Sequence, residues 1–109
     1  MNQPQDRIDY LRELLKEDPQ EPFIHYAICL ELKKRAEGAL AAFLQLLDTF
    51  PDYLPAYYQT ALMLAENGKI PEAAEMAGKG VLLAEKLADH HALSELKGLR
   101  QDILAGEYD

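Results

Sequence analysis

Four pairs of residues in this chain recur at one spacing. Phe23 and Tyr57, Ala27 and Ala61, Leu30 and Leu64, and Ala39 and Ala73 each stand 34 residues apart. Aromatic, small, large and small side chains thus repeat in order and in register. A period of this length marks stacked copies of one supersecondary unit, because a single copy leaves an apolar face uncovered. Within each copy the apolar residues follow helical spacing. The first copy is expected to form helices over residues 22–33 and 36–48, the second over 55–66 and 72–85.

The boundaries have local causes. Phe50-Pro51-Asp52 ends a helix, since proline drives the residue before it out of the helical region. Asn67-Gly68 is a turn, where glycine accepts the left-handed conformation after a helix. Pro71 suits a helix start, where its missing N–H has no partner to lose. With no proline at its end, the last helix is free to run on to about residue 88. The first unit has Lys34 opposite Gly68. A left-handed residue there would cost roughly 1 kcal/mol, so Lys34→Gly is expected to stabilise. The alanines matter because paired helices approach to ~8–10 Å only past small side chains. Ala27 and Ala61 are expected at such seams, with Phe23, Tyr57 and Phe43 filling the wider gaps and Gly80 admitting close approach.

This pattern resembles the tetratricopeptide-repeat family. The first unit carries the motif in Phe23, Tyr26, Ala27, Leu30, Ala39, Phe43, Leu46 and Pro51. The second carries it in Tyr57, Thr60, Ala61, Leu64, Ala73, Ala77 and Gly80. The departures are Leu46 in place of a small residue, Ala77 in place of an aromatic, and Glu85 in place of the closing proline. The resemblance covers residues 20–87, and more loosely the whole chain is similar to short bacterial repeat proteins. It implies an all-α fold, an antiparallel helix-hairpin solenoid of about six helices in a right-handed superhelical stack. It also implies a non-catalytic scaffold that binds a protein or peptide.

Two units leave open ends, and the flanks look suited to cover them. Ile8, Leu11, Leu14 and Leu15 form one stripe over residues 7–16, and Asp18-Pro19 ends that helix. Asp89 can cap a helix over 90–104, with Ala92, Leu93, Leu96, Leu99 and Ile103 facing inward. One domain, 1–109, is therefore expected: an N-terminal capping helix in 1–19, repeat one in 20–53, repeat two in 54–87, a C-terminal capping helix in 88–105, and a frayed tail in 106–109.

Composition narrows the partners. The 109 residues carry 11 Lys and Arg against 19 Asp and Glu, a formal charge of −8. Such a surface repels phosphate backbones and anionic lipids, so neither nucleic acid nor a membrane is expected as partner. No apolar run approaches the ~20 residues of a membrane span. The polar start, residues 1–9, carries no signal-peptide pattern. The single cysteine, Cys29, excludes an intrachain disulfide and suits a reducing compartment, so a cytoplasmic location is expected.

In this family the first helices of successive units line a concave face. The resemblance implies a groove with Ile24, Ile28, Tyr58 and Leu62 as apolar floor and Glu31 and Glu66 as acidic rim. It would hold an amphipathic helix or a segment with a basic flank. The alternatives are a homodimer, in which the groove of a self-associating assembly protein pairs with a second copy, and a patch covered permanently by the cap. Family members that clamp chaperone carboxylates need cationic and amide donors here. The matching positions, Ile24, Ile28, Gln59, Asp89 and Leu93, offer only Gln59, so that ligand class is not expected. Chemical sites are not expected either. Asp89-His90-His91 superficially resembles a metal-phosphoesterase motif, but the two histidines point about 100° apart on a helix. Gly78-Lys79-Gly80 lacks phosphate-loop spacing. Cys29 has no cationic neighbour by sequence and reads as a buried thiol. No acid–base pair of carboxylates stands out. No enzyme activity, cofactor or metal is expected.

Overall fold

The computed structural model describes residues 6–109. The first five residues, which open both the expected capping segment and the polar start, lie outside the described residues. Six helices follow in order: α1 Arg7–Glu17, α2 Pro22–Arg35, α3 Ala39–Thr49, α4 Pro55–Glu66, α5 Ile70–Leu87 and α6 His90–Leu104. Each packs on the next in the chain, and α4 also meets α6. The result is an elongated stack of 51 × 30 × 21 Å.

Three helix starts are capped by carboxylates, of which the sequence reading names Asp89. Asp6 Oδ1 accepts from the Ile8 N–H at 2.9 Å, Glu21 Oε2 from Phe23 at 2.9 Å, and Asp89 Oδ1 from Ala92 at 3.0 Å. Pro22 and Pro55 stand in the first turns of α2 and α4. Four helix ends close in one way. An amide two or three residues past the helix reaches back five residues: Glu37 to Leu32, Lys69 to Leu64, Asp89 to Ala84 and Glu107 to Asp102, all at 2.9–3.1 Å. This closure requires a left-handed residue just before that amide. Gly68 and Gly106 fill it twice, at φ 78° and 86°; Ala36 and Ala88 fill it otherwise, at φ 55° and 56°.

That closure corrects the expectation for the first unit. Lys34 is helical, and Ala36 takes the left-handed position two residues later. Gly38, also left-handed at φ 69°, caps α3, which starts at Ala39 rather than at residue 36. A slip of two residues turns a helix by about 200°. The face of α2 against α3 is therefore His25, Cys29 and Leu32, each two beyond Phe23, Ala27 and Leu30. His25 stacks on Phe50 with ring centroids 5.3 Å apart. Cys29 is buried and Leu32 packs into the same cluster. Phe23, expected to fill a gap, is 62 % exposed. Tyr26 meets the core in its place, 6.0 Å edge-on to Phe43 and 5.4 Å from Tyr53.

The second unit keeps the expected register. Tyr57, Ala61 and Leu64 of α4 are buried along with Ala73, Ala77 and Gly80 of α5. Ala61, Ala65, Ala73 and Ala77 are wholly enclosed, so the two helices meet through their smallest side chains. The Tyr57 hydroxyl donates to the Pro51 carbonyl at 2.6 Å, tying α4 to the turn after α3. On the far side α6 adds Leu96, Leu99 and Ile103 to the core. No helix among the described residues is long and apolar enough to cross a membrane.

Candidate functional site

The two-residue slip also decides which side chains of α2 reach the concave side. Glu31 is buried, and its carboxylate lies 3.3 Å from Arg7 of α1 and 3.3 Å from Lys34. Arg35, one helical turn further on the same stripe, pairs with Asp6 at the start of α1. Helix α1 therefore lies along the Ile24–Glu31–Arg35 stripe. Ile28 lines a recess with His25, Cys29 and the α3 residues Ala42, Gln45 and Leu46. The structure thus does not bring Ile24, Ile28 and Glu31 together with Tyr58, Leu62 and Glu66.

Two residues beyond Ile24 and Glu31, Tyr26 and Lys33 of α2 do reach α4. Tyr26 and Tyr58 line one hollow of about 290 Å³ with Pro55, Gln59, Ala92 and Glu95, over Leu54 and Leu96. Helices α2, α4 and α6 each contribute a wall. Lys33 Nζ donates to Gln59 Oε1 at 2.8 Å and links α2 to α4. Beyond that link Lys33, Met63, Glu66 and Asn67 line a second hollow of about 420 Å³, with Leu40 at its side. Both hollows flank the same Lys33–Gln59 bridge. Tyr58 and Leu62 pack toward α6, against the cluster that holds Ala61, Ala65, Leu99 and Ile103.

The electrostatics of this face are acidic. Glu66 is exposed, and the Glu95 side chain is 56 % exposed with His91 Nε2 at 3.5 Å. The nearby cation, Lys33, already serves Gln59. Burial raises the Tyr26 hydroxyl pKa, and the Gln59 hydrogen bond opposes that rise. Tyr26 therefore stays neutral and acts as a hydrogen-bonding aromatic wall. The sequence reading places Tyr26 in the packing motif and Gln59 among the groove positions, and assigns Lys33 no part in the groove. Gly38 was the available signal, since a glycine that late in the turn moves the helix end past Lys34.

Chemistry elsewhere is sparse. Burial pushes the Cys29 thiol up to about 11, so it is protonated at neutral pH and a poor nucleophile. Asp89 spends its carboxylate on the α6 cap. Among the described residues no three His, Cys, Asp or Glu side chains gather as a metal-holding group.

No family model matches the chain, and no curated protein matches it. Solved structures do. A crystal structure of a tetratricopeptide repeat domain protein from Salinibacter ruber superposes with a TM-score of 0.73 at 28 % identity, over 76 % of this chain and 96 % of that one. A solution NMR structure of a tetratricopeptide repeat domain protein from the same organism gives a TM-score of 0.73 at 31 % identity, over 79 % of this chain and 89 % of that one.

Proposed function

The chain belongs to the tetratricopeptide-repeat family, and we infer from that membership and from its concave geometry that it is a non-catalytic scaffold for another protein. The docking surface is the α2–α4–α6 face: Tyr26, Pro55, Tyr58, Gln59 and Glu95 at one end, Lys33, Leu62 and Glu66 toward the other. The observation that carries this reading is the three-walled hollow under Tyr26 and Tyr58, with an exposed carboxylate at its edge. Aromatic walls offer contact area at small entropic cost, and carboxylates at the rim steer cationic segments. The partner is a protein segment, helical or extended, that sets an apolar face into the seam and presents Lys or Arg to Glu66 and Glu95.

Charge reversal tests this without disturbing the core. Glu66→Lys combined with Glu95→Lys changes two exposed side chains, and circular dichroism should be unchanged. Proteins captured from host extract by the intact chain should be lost from the double variant. Capture that survives in full places the docking surface elsewhere on the molecule.

A further inference from the structure

The residues after α6 form a hydrogen-bonded hook. Gly106 takes φ 86°, its N–H donates to Ile103 at 3.2 Å, and Glu107 N–H donates to Asp102 at 3.1 Å. Asp109 N–H closes the turn on Gly106 at 3.2 Å. This hook carries Tyr108 back onto the concave side. Its ring is partly buried against the cluster of Ala61, Ala65, Leu99 and Ile103, in the company of Tyr58 and Leu62. Burial raises its hydroxyl pKa, and the nearness of Tyr58, Asp102, Glu66 and Glu107 adds to the rise. An aromatic ring therefore already rests on the surface assigned above to a partner, ringed by carboxylates.

The occupant is poorly matched to its seat. Tyr108 stands between Glu107 and Asp109, and Glu66, Asp102 and Glu107 lie close enough to its hydroxyl to act on it. Like charges at close range oppose docking, and a short hook with few buried contacts opens at small cost. A segment with the same ring but basic neighbours would keep the apolar contact and reverse the sign of the charge interaction.

We propose that the surface of Tyr58 and Leu62 is a subsite for an aromatic anchor, that Tyr108 is its resident occupant, and that the partner enters with an aromatic residue flanked by Lys or Arg and displaces it. This rests on the concave face being the docking surface.

The test uses three full-length proteins: the intact chain, Tyr108→Ala, and Glu107→Lys with Asp109→Lys. The probe is the peptide Ac-Lys-Lys-Phe-Lys-Lys-NH2, followed by amide shifts at Tyr58, Leu62, Leu99 and Ile103. Emptying the subsite should tighten probe binding at least tenfold, and making the hook basic should weaken it several-fold below the intact chain. The same peptide with Ala for Phe, or with Glu for every Lys, should bind more than tenfold more weakly to Tyr108→Ala. Should Tyr108→Ala lose helix, the basic hook, which retains the ring, decides. Equal affinity in all folded variants, with shifts at Gln59, Ala92 and Glu95, overturns the subsite and leaves the docking face standing. Absence of shifts anywhere on α2, α4 or α6 overturns both.

Discussion

Gly80 sits where three helices meet. A Cβ there would lie 2.9 Å from the Tyr57 Cβ and 2.9–3.0 Å from both Leu96 methyls. Alanine gains about 1 kcal/mol of helix propensity but meets an atom fixed to a neighbouring backbone. Overpacking of this kind costs about 1–3 kcal/mol, so Gly80→Ala should lower the melting temperature. The left-handed alanines give the opposite case. Ala36 at φ 55° carries a conformation that glycine adopts freely, and its solvent-facing turn offers no contact to lose. Ala36→Gly should stabilise by up to about 1 kcal/mol, whereas Lys34→Gly, inside α2, should destabilise by about 1 kcal/mol. Thermal unfolding of the pair reads both signs. Single residues were legible in the sequence where one side chain settles the matter, as with the Asp89 cap, Pro71 and Gly80. Ala36 was not, because alanine carries no mark of a left-handed turn.

Helix α2 shows what a repeat period can and cannot locate. The spacing of 34 places both units correctly, yet it assumes that both turns close at matching residues. The closure at Ala36 instead of Lys34 rotates the useful face of α2, exposing Phe23 and presenting Tyr26 and Lys33 to α4. The register of α4 was legible because Gly68 sits at its matching turn. That of α2 was not, since the slip depends on backbone hydrogen bonds that composition does not reveal. The cap α1 belongs to this scale as well. It is tied to α2 partly through Asp6, whose carboxyl the Arg35 hydrogen bond, helped by the Ile8 N–H, holds below the usual carboxylate range. A lowered pKa in the folded state means stability that is complete above about pH 4 and drains away as pH falls through the lowered value. Amide protection factors in α1, exchange rates taken relative to an unstructured peptide at the same pH, should therefore fall below about pH 4 in the intact chain. In Asp6→Asn the protection should already be lower at neutral pH and lose that acid step; an unchanged acid step would assign it to other carboxylates.

At the scale of the molecule, helices α2 to α6 share two core clusters, and α1 packs on α2 with Ile8 and Leu11 buried. Leu96, Leu99 and Ile103 show why the C-terminal cap was readable: their spacing alone marks a buried stripe. The hook after α6 was not legible because one aromatic among Gly106, Glu107 and Asp109 makes no periodic stripe. The charge distribution bears on self-association. A twofold pairing through the concave face would set Glu66, Glu95, Asp102 and Glu107 against their own copies, and like charges across an interface oppose it. Sedimentation across a wide concentration range should keep the mass at 12.3 kDa; a dimer that is broken by Tyr58→Glu would instead support a homotypic assembly.

The docking surface proposed above depends on which face α2 turns toward α4, and through-space proton contacts in solution read that face directly. Tyr26 ring protons should show cross-peaks to Phe43, Tyr53 and the Gln59 side chain, while the Phe23 ring shows none to α3. Strong contacts between Phe23 and Phe43, with Tyr26 free, would restore the unslipped register and return the groove to Ile24, Ile28 and Glu31.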